Sequence, residues 1–211
     1  MIYLIITTST VINKHTVENY ETRKQNYINA IRHTLSFCNK SKITPIIVEN
    51  NDNINQDKYL NGFNENILYT NNNLKLDTVI HKGVIELYDI KDVIENFKIK
   101  DDDIIIKLSG RYILNSSQFL DYVYDNQNNY DAFVKFYNVC THKFEEYDSA
   151  LGMFALRCKY LKEFNYDTNK SPEVDFATYI RNLKEKKIRL KEIEKLDLIC
   201  VFAQSLYMSH I

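Results

Sequence analysis

Hydroxyl and acidic side chains follow two apolar segments of the sequence, and both groups could bind a nucleotide. Thr7, Thr8 and Ser9 end the apolar run that begins at Ile2, and their hydroxyls and backbone amides suit a ribose, a base or a phosphate. Glu49 follows a second apolar run and could accept a hydrogen bond from a base or a ribose, as acidic residues do in dinucleotide folds. A polar loop before a helix would explain the first group equally well, and a solvated acid would explain Glu49.

Lys82 and Gly83 precede a predicted helix and could place positive charge beside an anion. The first N–H groups of a helix lack backbone partners and favour negative charge, and a glycine lets a ligand approach the backbone closely. A surface lysine is the simpler interpretation of Lys82 taken alone.

The strongest basic signal surrounds a glycine at the end of a third apolar run. Its chemistry-bearing members are Lys107, Ser109, Gly110 and Arg111. Lysine is rare in a buried strand, so Lys107 needs a partner, and either a phosphate or a carboxylate would serve. The guanidinium of Arg111 could hold a diphosphate through two parallel hydrogen bonds.

Acidic residues at a predicted helix start are candidate catalytic bases. Ser171 and Pro172 are typical of a helix start, where Ser171 would cap the helix, and Glu173 and Asp175 follow them. By default both acids would be surface residues that favour the positive end of the helix. Residues two apart do not share a helix face, so we expect at most one of these acids in a cleft and predict that it is Asp175. Asp148, four residues before a glycine, is a third candidate.

Two other groups of potential metal ligands are interpreted as structural. The three aspartates 101–103 precede a predicted strand, at the edge of the sheet opposite to the expected ligand, so a solvated loop explains them better than a metal site. The four cysteines, at positions 38, 140, 158 and 200, form no Cys-x-x-Cys pair, so we expect buried thiols instead of a zinc site or disulfides.

An alternation of apolar strands and amphipathic helices predicts the fold that positions these residues. The predicted strands are residues 2–8, 43–48, 66–70, 104–108, 132–138 and 151–157, and the predicted helices are residues 17–39, 83–97, 116–126 and one starting at 172. This order predicts an α/β fold with an open, mostly parallel sheet, and one antiparallel strand from 132–157 is possible. Ligands of such sheets bind beyond the carboxyl strand ends, which would bring residues 7–9, 49–50 and 109–111 together.

Length and charge narrow the class of protein. A chain of 211 residues with 45% hydrophobic and 26% charged residues suits one globular domain over residues 1–211. Its net charge of -1 gives no general attraction to nucleic acid or to anionic lipid, so neither is an expected partner. The apolar run at the N-terminus is too short for a membrane span or a signal peptide, and we expect no transmembrane segment.

The order of these segments resembles a GT-A glycosyltransferase domain. The similarity rests on residues 104–112, on Lys82 with Gly83, and on residues 138–140 and 151–155, and it points to small glycosyltransferases of large DNA viruses and some bacteria. It implies a single GT-A-like, Rossmann-like domain that uses a nucleotide-diphosphate sugar as donor.

The resemblance also implies roles for individual residues. The loop after the first strand and Glu49 would hold the nucleoside, and Lys82 and Gly83 would lie near the diphosphate. Glu173 or Asp175 matches the acidic helix start near the acceptor.

One departure from the GT-A pattern concerns the metal ion. These enzymes usually carry an Asp-x-Asp motif after the strand that corresponds to residues 104–108, and the motif engages Mn²⁺ or Mg²⁺. This chain has Ser109, Gly110 and Arg111 at that place. Either Lys107 and Arg111 replace the charge of the metal, or acids elsewhere, such as Asp148, supply its ligands. A requirement for Mn²⁺ or Mg²⁺ therefore stays open at this point.

The leading hypothesis from the sequence is transfer of a sugar, from a UDP-sugar, to a hydroxyl group of a glycan or glycoconjugate. A nucleotidyltransferase on a similar sheet is the main alternative, although residues 7–11 contain none of the glycines that its first loop would carry. A non-catalytic module that binds a nucleotide or sugar is the third hypothesis. The expected location is the cytoplasm, that of the host if the protein is viral.

Overall fold

The structure is a computed structural model that describes residues 1–10, 19–38, 42–51, 58–78, 81–137, 144–167, 169–201 and 208–211. Its ten strands, in chain order, are β1 (Ile2–Thr8), β2 (Ile43–Glu49), β3 (Asn66–Tyr69), β4 (Ile104–Ser109), β5 (Ile113–Leu114), β6 (Ala132–Val134), β7 (Met153–Arg157), β8 (Leu190–Glu192), β9 (Leu198–Val201) and β10 (Met208–His210). The described helices are α1 (Tyr20–Cys38), α2 (Lys82–Asn96), α3 (Gln118–Asn126), α4 (Cys158–Glu163) and α5 (Pro172–Glu185), with 3₁₀ turns at Tyr59–Gly62 and Asn72–Thr78.

A seven-stranded sheet organises the fold in the order β3-β2-β1-β4-β7-β6-β8. All neighbouring pairs are parallel except those of β7, which runs antiparallel to β4 and to β6. The predicted α/β class with a mostly parallel sheet is confirmed, and the antiparallel strand falls where the sequence allowed one. A smaller antiparallel sheet, β10-β9-β5, lies beside it.

Both faces of the central strands are covered, which explains why β1 is apolar without interruption. Ile2, Leu4 and Ile6 pack on the side of α1 and α3, whereas Tyr3 and Ile5 pack on the side of α2, α4 and α5. Successive side chains of a strand point to opposite faces, so a strand buried on both faces needs an apolar residue at every position. The helices thereby hold the strand ends rigidly at one edge of the sheet.

Several predicted boundaries change in the structure. Helix α1 begins at Tyr20, and positions 17, 18 and 39 of the predicted helix lie outside the described residues. Strand β6 ends at Val134, followed by an isolated bridge between Phe136 and Ser149, and residue 138 lies outside the described part. The hydroxyl of Ser171 does not cap α5 as predicted, because it donates to the Glu173 carboxylate at 2.6 Å.

The described helices and cysteines bear on two predictions from the sequence, that no segment spans a membrane and that the thiols are buried. Among them, none of the helices has the length and apolar character that a membrane span needs. Cys38, Cys158 and Cys200 are buried, as predicted, and Cys140 lies outside the described residues. Burial raises the pKa of Cys38 and of Cys200 to about 12, so these thiols are protonated at neutral pH.

Candidate functional site

A cleft of about 200 Å³ lies beyond the carboxyl end of β4, at the edge of the sheet where ligands of such folds bind. The start of α2, the end of β4, the segment before β7 and the start of α5 contribute to its lining. Tyr112, Ser149, Gly152 and Cys200 also line the cleft. The lining residues that bear most on its chemistry are Lys82, Gly83, Glu86, Lys107, Ser109, Arg111 and Glu173. All of these except Glu86 were predicted from the sequence, and the structure brings them together.

Gly83 allows the first turns of two helices to meet at the cleft. A Cβ atom at this position would lie 2.9 Å from Cβ of Pro172, which is closer than real Cβ contacts come. Lys82 and Gly83 begin α2, and Pro172 begins α5, so the positive ends of two helices share one neighbourhood. This arrangement favours negative charge in the cleft.

Gly110 has a similar steric role beside β1. A Cβ atom here would lie 2.8 Å from Cγ2 of Thr8 and 3.0 Å from the carbonyl oxygen of Thr7. The Gly110 amide donates to that same Thr7 oxygen at 2.8 Å, so the chain leaves β4 in contact with the end of β1. The glycine thereby fixes the direction in which the next residue, Arg111, leaves the sheet.

Lys107 has a carboxylate partner inside the protein. Its side chain is 2% exposed, and Nζ lies 2.5 Å from Oε2 of Glu86. Nζ also donates to Oγ of Ser109 at 2.7 Å and to the carbonyl oxygen of Leu151 at 2.8 Å. These three acceptors match the three N–H donors of an ammonium group, so Lys107 retains no donor for a diphosphate. Its predicted contact with a ligand thus has no support in this geometry.

Two guanidinium groups converge on the hydroxyl of Tyr27. Arg111 donates to this oxygen from Nη1 at 3.3 Å, and Arg23 donates from Nη2 at 3.0 Å. Nε of Arg111 is bound to the carbonyl oxygen of Val201 at 3.1 Å, and Nε of Arg23 to that of Ser9 at 2.7 Å. Arg23 is 1% exposed, so its charge is fixed in the protein interior behind the cleft.

Lys82 completes a group of three cationic side chains, which we call the cation cluster: Arg23, Lys82 and Arg111. Burial, together with the charges of Arg23 and Arg111, lowers the pKa of Lys82 to about 8, against the opposing charge of Glu86. Among the described residues, no carboxylate lies within 4.0 Å of the Lys82 amine or the Arg111 guanidinium. The positive charges of Lys82 and Arg111 therefore favour an anion bound between them.

Glu173 also lines the cleft, whereas Asp175 does not. Residue Asp175 is 8% exposed, and its carboxylate accepts the amide N–H of Asp167 at 2.7 Å and lies 3.9 Å from the amine of Lys170. As the spacing predicted, only one of the two acids faces the cleft. The geometry favours Glu173, and not Asp175, as the acid nearest to a bound ligand.

Asp148 lies close to Glu173 and is linked to it through Ser149. The Ser149 hydroxyl donates to the Glu173 carbonyl oxygen at 2.8 Å, and the Ser149 amide donates to the Asp148 carboxylate at 2.8 Å. Burial, together with the charges of Glu173 and Glu145, raises the pKa of Asp148 to about 6, although the hydrogen bond from the Ser149 amide lowers it. The protonation of Asp148 therefore changes near neutral pH.

Glu49 is surrounded by donors of the protein itself. Its side chain is 0% exposed, and its two carboxylate oxygens accept hydrogen bonds of 2.7–3.3 Å from hydroxyl, amide and backbone groups. The donors belong to Thr8, Thr10, Asn51 and Tyr59. The predicted contact of Glu49 with a base or ribose stays a prediction, and these bonds favour a role in joining the loops after β1 and β2.

The hydroxyl residues at the end of β1, Thr7, Thr8 and Ser9, also form hydrogen bonds mainly within the protein. The Thr8 hydroxyl lies 2.8 Å from Oε2 of Glu49, and the Thr7 hydroxyl lies 3.5 Å from the Leu108 carbonyl oxygen. Ser9 is only partly buried, and its carbonyl oxygen accepts the Arg23 bond described above. The contribution of this loop is to hold Arg23 in place.

A second buried carboxylate, Asp89 of α2, was not predicted from the sequence. It is 0% exposed and accepts hydrogen bonds from Asn50, Thr70 and Asn72 at 2.9–3.0 Å, which joins the ends of β2 and β3 to α2. Burial raises its pKa to about 7, although the three donors lower it. We call the two carboxylates, Glu49 and Asp89, with their donors the strand-end network.

Sequence reasoning also missed Arg23, Tyr27 and Glu86. A usable signal existed in α1, because Arg23 stands four residues before Tyr27, on the apolar face that continues to Ile31. A basic residue on a buried helix face needs a special partner or function. Glu86 gave no such signal, because a glutamate in the first turns of a helix is ordinary.

Comparisons with known proteins identify similar folds but no relative by sequence. The sequence matches no protein-family model and no curated protein. The structure is similar to a protein described as a nucleotide-diphospho-sugar transferase from Desulfovibrio desulfuricans, with a TM-score of 0.58 and 7% identity over 91% of this chain and 79% of that one. A mannosyltransferase from Pyrobaculum calidifontis, in complex with GDP-Man and Mn²⁺, gives a TM-score of 0.57 and 6% identity over 91% and 54%.

A third similar structure has a different activity in its description. It is a cytidylyltransferase from Leptospira borgpetersenii, with a TM-score of 0.54 and 13% identity over 93% of this chain and 77% of that one. At such identities the similarity establishes the α/β fold shared by both kinds of transferase. The choice between them depends on the residues of the cleft.

Proposed function

We propose that the protein transfers a sugar from a nucleotide-diphosphate donor to a hydroxyl group of a glycan or glycoconjugate. The observation that carries the proposal is the cleft at the carboxyl strand ends, which Lys82 and Arg111 line together with Glu173. Cationic groups there would stabilise a diphosphate leaving group, and an acid beside them would serve the acceptor hydroxyl.

The transfer can be written with these residues in defined roles. The bond between the anomeric carbon and the diphosphate oxygen breaks, and its electron pair leaves with the diphosphate. The acceptor oxygen forms the new bond to the anomeric carbon, and its proton passes to the Glu173 carboxylate and then to solvent. Lys82 and Arg111 stabilise the negative charge that grows on the diphosphate. This electrostatic stabilisation is largest in a site with little water.

The similar structures support a nucleotide-type donor, but they do not distinguish sugar transfer from nucleotidyl transfer. Two of them are described as a nucleotide-diphospho-sugar transferase and a mannosyltransferase, and a third as a cytidylyltransferase. The absence of glycine from residues 7–11 favours sugar transfer, because a nucleotidyltransferase on such a sheet normally has a glycine-rich first loop. UDP as the nucleotide is the expectation from the sequence.

A thermal-shift panel with product analysis tests the proposal. At equal concentrations, UDP or a UDP-sugar should stabilise the protein more than ADP, GDP or CMP. At 100 times its dissociation constant, UDP should raise the free energy of unfolding by about 2.7 kcal/mol relative to the ligand-free protein. Slow release of UDP from a UDP-sugar, without an acceptor, would support sugar transfer. Formation of pyrophosphate from a nucleoside triphosphate and a sugar phosphate would instead show a nucleotidyltransferase, and no shift with any nucleotide would remove the donor site.

A further inference from the structure

Carboxylates available for a metal ion are scarce at the end of β4. Ser109, Gly110 and Arg111 occupy the place where GT-A enzymes usually carry their metal-binding aspartates. Two of the described acids line the cleft, Glu86 and Glu173. Lys107 already holds the Glu86 carboxylate at 2.5 Å, and the Glu173 carboxylate belongs to α5 and accepts the Ser171 hydroxyl at 2.6 Å. Within the described ranges, no group of three or more His, Cys, Asp or Glu residues could hold a metal ion.

Cationic side chains lie in and behind the cleft, where a metal ion would otherwise supply positive charge. Lys82 and Arg111 line the cleft, and Arg23 lies close enough to Lys82 for its charge to act on the amine. A divalent cation placed among these groups would meet repulsion from three side chains. The residues present therefore do not fit Mn²⁺ or Mg²⁺ at this strand end, and they fit an anion.

Two members of the cation cluster are held in fixed positions. The hydroxyl of Tyr27 and two backbone carbonyl oxygens bind Arg23 and Arg111, as described above. A guanidinium has five N–H donors, and the contacts of Arg111 with the described residues use two of them. The remaining donors can bind phosphate oxygens without rearrangement of the backbone. Preorganised charge of this kind replaces the role that a bound cation has in related reactions.

We infer that the cation cluster neutralises the diphosphate of the donor without a divalent metal ion. Lys82 and Arg111 contact the phosphate oxygens, and the buried Arg23 is a positioning residue that adds charge behind them. This inference rests on the proposed function, and it specifies how the same cleft handles the charge of its substrate.

Calorimetric titration of the whole chain with UDP, once in EDTA and once in Mn²⁺, tests the inference. The dissociation constants in the two buffers should agree within about threefold. In EDTA, Arg111→Gln should weaken UDP binding at least about tenfold and leave uridine binding unchanged, because a charged hydrogen bond contributes only to the diphosphate. Lys82→Gln should act in the same direction, and it removes no hydrogen bond to another described residue.

Arg32→Gln is the matched control, because Arg32 is an exposed residue of α1 and its substitution removes the same charge. This variant should bind UDP as the wild type does. Binding of UDP only in Mn²⁺ would overturn the inference and leave the proposed function intact. Equal UDP affinity of the wild type and both cleft variants would also overturn it. Failure of UDP to bind in either buffer would contradict the proposed function, and the inference with it.

Discussion

The strand-end network and the cleft occupy the same edge of the sheet, but they differ in how their polar groups are satisfied. Glu49 and Asp89 accept hydrogen bonds from seven neighbouring residues, so these buried carboxylates are enclosed by donors. Lys82 and Arg111 face a cleft, with like charges beside them and no carboxylate within 4.0 Å among the described residues. The first arrangement holds the fold together, and the second is costly unless a ligand completes it.

This difference shows what position at a strand end does and does not predict. It predicts that a polar side chain lies at the ligand-binding edge of the sheet. It does not predict whether the protein already uses the hydrogen bonds of that side chain. Substitutions in the network should therefore lower stability, whereas substitutions in the cleft should lower function.

The largest expected effect is on turnover at the cleft. Glu173→Gln should reduce sugar transfer by about 10² to 10⁴, because the variant cannot accept the acceptor proton. Asp175→Asn is the matched control two residues away, and its turnover should stay within a few-fold of the wild type, because Asp175 bonds to residue 167 outside the cleft. Transfer assays at saturating donor compare the two. A large loss in Asp175→Asn, with near-normal Glu173→Gln, would restore Asp175 as the base.

The next largest effect is on stability at the strand-end network. Glu49→Leu should reduce the free energy of unfolding by about 3 kcal/mol or more, because several buried donors would lose their acceptor. Glu49→Gln retains the shape and one acceptor oxygen, so its loss should be clearly smaller. Urea unfolding measures both variants. A loss below about 1 kcal/mol in Glu49→Leu would mean that the network does not hold the loops together.

A smaller effect is the pH dependence of UDP binding. The pKa of Lys82 is about 8 in the folded, ligand-free protein, so at pH 9 about a tenth of the molecules retain its proton and UDP affinity should fall up to about tenfold. In Lys82→Arg the charge persists, and the ratio of variant to wild-type affinity should rise between pH 8 and 10. A constant ratio across this range would show that the Lys82 charge does not contribute to binding.

The sequence predicted the fold and the location of the cleft better than the roles of its residues. An uninterrupted apolar β1 and the helical spacing of α1 and α2 are local signals, and both survive in the structure. The rule for carboxyl strand ends predicted the place of residues 109–111, and the GT-A resemblance predicted that of residues 82–83 and 173. Residues 7–9 and 49–50, which the same rule selected, do not line the cleft.

The remaining features depend on contacts between distant segments, which a single sequence does not display. The partner of Lys107 is Glu86 on α2, and the acceptor of Arg111 is Tyr27 on α1. The orientation of Asp175 away from the cleft depends on the path of residues 167–170. Each of these results from tertiary packing, and helical spacing or strand alternation carries no information about it.

Measuring both the stability and the UDP affinity of Lys82→Met distinguishes a lysine that binds the diphosphate from one that supports the fold. At pH 7 the wild-type amine is charged in surroundings that lower its pKa, and this cost declines as pH rises from about 8 towards 10.5, where the unfolded chain also loses the proton. The variant should therefore gain about 1 kcal/mol of stability without ligand, while its UDP affinity falls at least about tenfold. A variant that loses stability and binds UDP as the wild type does would contradict the account, because Lys82 would then be a structural residue.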